Sequence, residues 1–332
     1  MNIRNRGELK QFASARLEHA TQLSRIILIY AGLTLGLAGV NTVISYVLDL
    51  QMEGLSGLSS FGKKTTLASI QSMLPLALSM FTMCVETGFL AVMLRIARGQ
   101  YASEQTLRLG FDRFWVLLRC NIFMGFRYAA MLFLSIYFGI MVFMTLPISQ
   151  PAMDVLAPYL ADMSALSGEI VMEEAAYAQF AQAVWPAYLI CGVIFAIAAI
   201  PLWYSYRMVR YIIIDKPGMG ALMVMRESKQ MMRKNRMALL KLDFSFWWYY
   251  LALFAAHVIG YGDTILLMLG VELPGSYDLW YFVFMAAYLA ALCAVYYFLR
   301  SKVEVSYALA YDALKPEEPK DNGVVLGNIF QM

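Results

Sequence analysis

Residues 184–206 read VWPAYLICGVIFAIAAIPLWYSY, without a single charged side chain, and RMVRYIIIDK follows at residues 207–216. An α-helix needs about 20 apolar residues to cross the hydrocarbon of a bilayer, so this stretch predicts a transmembrane helix. No Lys or Arg occurs between Tyr128 and Tyr206, whereas nine lie between Arg207 and Lys241. Cytoplasmic loops near spans are rich in Lys and Arg, and translocated loops are poor in them. The stretch therefore indicates a membrane protein and also its orientation.

The composition of the whole chain agrees with this class. Hydrophobic residues make up 61% of the 332 positions and charged residues only 15%, a far more apolar balance than that of a soluble domain. The four cysteines lie in or beside apolar runs, so we expect buried thiols and no disulfide framework. Two histidines in the chain argue against a histidine-based metal site. We predict no metal and no cofactor.

Six apolar segments predict a single polytopic membrane domain over residues 1–332, an all-α integral membrane helical bundle. We expect spans at about 26–48, 71–94, 120–146, 184–206, 244–270 and 279–299. Both termini then lie on the same side of the membrane. The segment 150–183 becomes an outer loop, and residues 300–332 become a cytoplasmic tail.

The charge balance places both termini in the cytoplasm. With that orientation the inner segments contain 23 Lys and Arg against 12 Asp and Glu, while the outer segments contain two against nine. Lys63 and Lys64 are the only basic residues on the outer side. This asymmetry predicts a multi-pass protein of the cell membrane.

Three segments that precede spans have the apolar spacing of amphipathic helices. We predict that these helices lie along the inner membrane surface. Their apolar positions are Leu9, Phe12, Ala13, Leu17 and Ala20 in the first, Leu107, Phe111, Phe114, Trp115 and Leu118 in the second, and Ala221, Val224, Met225 and Met232 in the third.

Several short motifs in the C-terminal part carry a family resemblance. They are YRMVRY at residues 206–211, IDKP at 214–217, RESKQMM at 226–232, LDFSFWW at 242–248, and Tyr311-Asp312 after the last span. With these motifs the chain resembles the bacterial membrane-protein family called domain-of-unknown-function family 975. It departs from the family at Lys234, where a glycine is usual. The resemblance implies a polytopic bacterial inner-membrane protein, and since the family's activity is unassigned it implies no substrate and no catalytic residue.

Four residues form the candidate buried polar site. Glu86 lies eight uncharged residues before Arg95, about 12 Å along the helix from the inner edge of its span. A carboxylate at that depth is costly and by default indicates a site, unless the span covers residues 65–85 and Glu86 reaches the interface. Arg127 either pairs with Glu86 or extends to the inner interface. His257 is a packing residue or part of the site, and Asp263 either caps an outer helix edge or lines a broken helix.

A second candidate site is the cationic segment before the fifth span. Arg226, Lys229, Arg233 and Arg236 recur at helical spacing, which suits contact with anionic phospholipid headgroups. Nucleic acid is not a predicted partner, because every basic cluster adjoins a span end. GLSG at residues 54–57 matches the GxSG of intramembrane serine proteases, but an outer loop does not supply the base that such a serine needs.

Two classes of function remain open. The first is a non-catalytic envelope protein that binds lipid, a partner membrane protein or a second copy of itself. The second is a secondary transporter or channel for a small solute that uses Glu86 and Asp263. No enzyme is predicted, because the sequence contains no catalytic constellation.

Overall fold

The computed structural model describes residues 5–53, 61–163, 174–268 and 277–315. Within these ranges every regular element is helical, and none is a strand. The predicted all-α class is therefore confirmed for the described part of the chain.

The helices follow one another along the chain with short connections. They are α1 (Arg6–Glu18), α2 (Leu23–Glu53), α3 (Phe61–Ala97), α4 (Leu109–Asp112), α5 (Phe114–Thr145), α6 (Gln150–Met163), α7 (Glu174–Ala183), α8 (Trp185–Tyr206), α9 (Val209–Asp215), α10 (Ala221–Met232), α11 (Arg236–Ser245), α12 (Trp247–Gly260), α13 (Gly262–Met268), α14 (Tyr277–Val295) and α15 (Ser301–Leu314). Short 3-10 helices occupy Glu104–Arg108 and Pro147–Ser149, and a π-helical turn, Tyr296–Arg300, joins α14 to α15.

Among the described residues, five helical stretches are long and apolar enough to cross a membrane. They are Leu23–Met52, Gly62–Ala97, Phe114–Thr145, Trp185–Asp215 and Leu279–Leu314. A sixth crossing exists if α11 and α12, which are bent by 63° relative to each other, count as one broken span. The predicted fifth span at 244–270 is thus divided among α11, α12 and α13, and residues 269–270 lie outside the described ranges.

The break between α11 and α12 is stabilised by cations from α1. Lys10 Nζ donates a hydrogen bond to the Ser245 carbonyl at 2.6 Å and lies 4.4 Å from the centre of the Phe246 ring. Arg6 donates to the Lys241 carbonyl at 3.4 Å. The last carbonyls of a helix have no intrahelical donor, so these side chains satisfy groups that the break leaves open. Burial, and then the nearby charge of Arg6, lower the pKa of Lys10.

The chain divides into two compact units. The described parts of residues 1–118 and 207–332 form unit 1, and those of residues 119–206 form unit 2. Within unit 2, α6 packs on α7 and α7 packs on α8. The predicted outer loop at 150–183 contains these two helices, α6 and α7, and its residues 164–173 lie outside the described ranges.

The protein core of unit 1 lies where the short helices meet the second half of α3. In this region α15 packs on α3 and on α1, and α9 packs on α3 and on α10. Fully buried apolar residues come from all of these helices: Leu9, Phe89, Val92, Met93, Ile212, Val224, Val305 and Ala308. The spans by contrast expose large apolar side chains, such as Val40 at 50%, Leu76 at 55% and Phe254 at 66%, as expected of surfaces that face lipid.

The first part of helix α3 is mostly exposed, and its second part is mostly buried in protein. It has 37 residues, so it is about 55 Å long, whereas the hydrocarbon of a bilayer is about 30 Å thick. Side chains are mostly exposed before Thr82, and from Met83 to Ala97 most are buried. The first part of α3 therefore suits a membrane span, and the second part belongs to the protein core.

Two of the predicted amphipathic segments differ in whether they form a single helix. In α10 the predicted apolar residues Ala221, Val224, Met225 and Met232 are all buried in the protein. The segment 107–118 is not one helix, because a 3-10 helix ends at Arg108, α4 ends at Asp112 and α5 begins at Phe114. Its predicted apolar stripe is therefore divided, and Trp115 is 68% exposed.

A turn forms at Lys234 although the usual glycine is missing. Helix α10 ends at Met232 and α11 begins at Arg236. The Asn235 backbone N–H donates to the Met232 carbonyl at 3.2 Å, and the Asn235 side-chain amide donates to the Met231 carbonyl at 2.9 Å. Arg233 and Asn235 both have negative φ angles, so these two positions do not need the left-handed conformation that favours glycine.

Two glycines allow the connection after α3 to pack directly on the α3 backbone. A Cβ atom at Gly88 would collide with the Leu107 carbonyl, and a Cβ atom at Gly110 would collide with the Cys84 carbonyl. Each glycine thus meets backbone rather than a flexible side chain. This close approach brings α4 and the 3-10 helix before it into direct contact with the backbone of α3.

We predict that Gly88→Ala and Gly110→Ala each lower the stability of the folded protein. The added methyl group must displace backbone, and overpacking of this kind costs about 1–3 kcal/mol. Thermal unfolding in detergent, followed by circular dichroism, measures the effect. Gly36→Ala is the matched control, because a Cβ atom at Gly36 meets nothing within 4 Å. Equal melting temperatures for all three variants would contradict the backbone contact.

Candidate functional site

Glu86 is held between two arginines in unit 1. Its Oε2 accepts a hydrogen bond from Arg210 at 2.6 Å, and its Oε1 lies 3.7 Å from Nη2 of Arg300. Arg300 also lies 3.7 Å from Glu304, four residues further on. We call these four residues the Glu86 cluster. It joins α3, α9, the π-helical turn and α15, and its two carboxylates and two guanidinium groups leave no net charge.

The Arg300 guanidinium is surrounded by aromatic rings. Its central carbon lies 4.6 Å from the ring centre of Tyr296, 4.9 Å from that of Tyr30 and 5.7 Å from that of Phe89. Tyr30 and Phe89 stack on each other with their centres 4.2 Å apart. The negative faces of aromatic rings attract a cation, most strongly where water is excluded. The rings therefore stabilise a charge whose side chain is only 12% exposed.

The π-helical turn provides the position of Arg300. A π-helical turn inserts an extra residue into an α-helix, which rotates the following residues by about 100° relative to the preceding ones. The turn covers Tyr296–Arg300 and is followed directly by α15. It thus contributes both an aromatic ring and the cation to the Glu86 cluster.

A tyrosine-rich layer adjoins the Glu86 cluster. Tyr211 donates to Glu304 at 3.4 Å, and the Arg207 guanidinium lies 4.6 Å from the centre of the Tyr307 ring. The hydroxyl groups of Tyr250 and Tyr307 are 3.2 Å apart. This layer connects α9 and α15 to α12.

A second ionic cluster lies at the ends of three helices. Arg98 donates to Asp312 at 2.6 Å and to Asp215 at 2.9 Å, and Lys315 contacts Asp215 at 2.7 Å. Tyr311 also donates to Asp215 at 3.0 Å. The hydrogen bonds with Asp312 contribute most to raising the pKa of Arg98. We call Arg98, Asp215, Asp312 and Lys315 the Arg98 cluster, and it too has no net charge.

The end of α3 places Arg98 in this cluster. Gly99 has a φ of 71°, and its N–H donates to the Ile96 carbonyl at 2.9 Å while the Gln100 N–H donates to the Arg95 carbonyl at 2.8 Å. This is the Schellman arrangement, in which glycine at the left-handed position ends a helix. It fixes the backbone on both sides of Arg98.

The four predicted site residues have separate partners. Arg127 donates a hydrogen bond to the Tyr206 hydroxyl within unit 2. His257 contacts the Leu253 carbonyl through Nδ1 at 2.7 Å and packs edge-on against Tyr288. Asp263 is 4% exposed in the first turn of α13 and accepts a hydrogen bond from Thr264 at 3.3 Å. The described ionic partners of Glu86 are thus Arg210 and Arg300.

The predicted cationic stripe is divided between two helices. Arg226 and Lys229 are exposed on α10, Arg233 is the exposed residue after its end, and Arg236 is the half-buried first residue of α11. The Arg98 cluster was not predicted. Its signal was present in IDKP and in Tyr311-Asp312, since these motifs supply Asp215 and Asp312.

The described residues contain no group of three or more His, Cys, Asp and Glu that could hold a metal ion. The serine of the GLSG motif lies outside the described ranges. The charged side chains of the Glu86 cluster and the Arg98 cluster form ion pairs between helices.

These features define a helical protein with several helices able to cross a membrane and with a charged, aromatic core in unit 1. The chain belongs to the family described as "Protein of unknown function (DUF975)", whose match covers residues 1–312. The family match extends well beyond the C-terminal motifs that first indicated it. No curated protein and no solved structure matches the chain.

We predict that Glu86→Gln destabilises the protein, because Arg210 and Arg300 then lose their shared anion. Removing one partner of a buried ion pair costs up to about 3–5 kcal/mol, and the partial exposure of Glu86 reduces this to about 1–3 kcal/mol. Thermal unfolding in detergent measures the loss, with the exposed Glu18→Gln as the matched control. Arg210→Gln combined with Glu86→Gln is expected to cost less than the two single changes added together. Additive losses would argue against a direct pair.

Proposed function

We propose that this chain is a non-catalytic, multi-pass protein of the bacterial cell membrane that contacts anionic phospholipid through the cations of α10. The observation that carries this proposal is the two-sided character of α10. One side of it, with Ala221, Val224, Met225 and Met232, is buried in unit 1, while Arg226, Lys229 and Arg233 remain exposed along or directly after it.

Packing in unit 1 holds α10 in place, and its exposed cations can attract anionic headgroups of the membrane. Six residues of α10 are buried, so the helix is part of the folded core. Each Lys or Arg near an anionic membrane surface contributes about 1 kcal/mol of attraction. The attraction falls off over about 8–10 Å at physiological ionic strength. Three such cations support a lipid contact that depends on headgroup charge.

The pairing of Glu86 supports a structural rather than a catalytic role. A general acid or base must reach a substrate proton, and both oxygens of Glu86 face guanidinium groups. An ion-coupled carboxylate needs a wet cavity. The carboxylate of Glu86 joins α3 to α9 and to the π-helical turn through ion pairs.

Transport is the second candidate, and one observation favours it. The helix breaks at Tyr261, and Asp263 is buried directly after the break, as at the ion sites of broken-helix transporters. Solute or ion flux in proteoliposomes that Glu86→Gln or Asp263→Asn abolishes without unfolding the protein would replace the lipid-contact proposal with transport.

We predict that anionic phospholipid stabilises the protein more than zwitterionic phospholipid does. Neutralising Arg226, Lys229 and Arg233 to glutamine should remove this difference, because the attraction is electrostatic. The melting temperature is measured in nanodiscs of either lipid. The control replaces Arg226 and Arg233 with lysine, which keeps the charges and should keep the difference. An undiminished difference in the glutamine variant would exclude these cations as the contact.

We further predict that α10 faces the cytoplasm and that the segment around Asp154 faces outward. Single cysteines at exposed Lys229 and exposed Asp154 suit this test, in a background without the four native cysteines. An impermeant maleimide added to intact cells should label position 154 and spare position 229. After permeabilisation both should react, and the reverse pattern in intact cells would invert the orientation.

A further inference from the structure

An open groove runs between α10 and the end of α15 in unit 1. It has a volume of about 470 Å³, and its apolar lining includes Met219, Met223, Met231 and Leu314. Arg226 and Gln230 provide polar groups at its wall. Met223 is 59% exposed, so the groove presents apolar surface that no described residue covers.

The lining of this groove favours an apolar chain with adjacent acidic residues. Methionine side chains are flexible and polarisable, so they adapt to varied apolar partners. The other cation of the groove, Lys216, is paired with Glu227 at 2.7 Å. Arg226 is exposed beside them, and its charge is complementary to a carboxylate.

We propose that the groove binds the C-terminal segment of this same chain, with Val324, Val325 and Leu326 against the methionines. Leu314 both ends α15 and lines the groove. Lys315, the next residue, is held at 2.7 Å by Asp215, which adjoins Lys216 of the groove. The chain therefore continues from the edge of the groove itself.

The sequence after this point has the required chemistry. Residues 316–332 read PEEPKDNGVVLGNIFQM and lie outside the described ranges. Glu317 and Glu318 come first and are complementary to Arg226. The apolar residues Val324, Val325 and Leu326 follow, with Ile329 and Phe330 after them.

Chain length permits the contact. From Lys315 to Val324 there are nine residues, which reach up to about 30 Å when extended. Along α10 the groove extends from Met223 to Met231, about 12 Å of helix. The segment can thus cover the groove within one molecule. Because Glu317 and Glu318 then shield Arg226, the segment and anionic lipid compete for that side chain.

Photo-crosslinking in the full-length protein tests the proposal. A benzophenone amino acid replaces Leu326, the protein is placed as single copies in zwitterionic nanodiscs, and crosslinked peptides are mapped by mass spectrometry. The expected product joins position 326 to residues 219–231 of the same chain. Crosslinks confined to other regions would overturn the proposal. A second measurement places several copies in each proteoliposome. Crosslinks that form only there, between two copies, would also overturn the proposal.

Two sets of variants keep the test specific. Met223→Glu should abolish the crosslink, whereas Met237→Glu, at a comparably exposed methionine on α11, should preserve it. Arg226→Glu should weaken the crosslink, and adding Glu317→Lys and Glu318→Lys should restore it. Insensitivity to Met223→Glu would exclude the groove. The crosslink is measured without anionic lipid, so it fails or succeeds independently of the lipid-contact proposal.

Discussion

The buried guanidinium of Arg300 is the constraint around which the described helices of unit 1 are arranged. Removing such a cation from water costs several kcal/mol unless anions and hydrogen bonds replace the water. Here Glu86 and Glu304 supply the anions, and Tyr30, Phe89 and Tyr296 supply aromatic faces. The groups come from α2, α3, the π-helical turn and α15. Sliding one of these helices along another would separate the charge from its partners.

The Arg98 cluster adds a second constraint on the same two helices. Arg98 follows Glu86 by twelve residues along α3 and its extension, and Asp312 follows Arg300 by twelve residues along α15. Twelve residues of helix extend about 18 Å. Ionic contacts between α3 and the continuous segment of the π-helical turn and α15 therefore occur twice, Glu86 with Arg300 and Arg98 with Asp312, so the acid and the arginine exchange sides. Two contacts at equal spacing fix both the register and the relative direction of the pair, which one contact cannot do.

Features that depend on the composition of one segment could be predicted from the sequence. Contacts that depend on how distant helices lie against one another could not. Long apolar runs located the helices that are long and apolar enough to cross a membrane, and helical spacing identified the buried residues of α10. Glu86 was identified because a charge in an apolar run is costly wherever its partner lies. Its partners were not identified, because Arg210 lies 124 positions away and Arg300 lies 214 away. Both appeared only as cations that satisfy the positive-inside rule.

Two breaks, at Phe246 and within the segment 107–118, were missed for the same reason. The turn at Phe246 contains neither glycine nor proline, and the cations that stabilise it come from α1, near the other end of the chain. The division of the segment 107–118 depends on Gly110, which meets the Cys84 carbonyl of α3. In both places the decisive contact is tertiary. A periodic pattern describes one segment and contains no information about such contacts.

The apolar faces of α1 and α10 illustrate a limit that applies to every amphipathic helix beside a membrane. A stripe of apolar residues at helical spacing can be buried by acyl chains or by protein, and the pattern is the same in both cases. In this chain α15 packs against α1 and α9 packs against α10. Protein therefore buries Leu9 and Ala13 of α1 and the four predicted apolar residues of α10, whereas Phe12 of α1 stays 52% exposed. The exposed cations on α10 are thus carried by a helix that packing holds in place, although Leu222 and Met223 of the same helix each stay 59% exposed. Under the proposed lipid contact these cations provide the attraction, which makes headgroup composition and ionic strength the variables that control it.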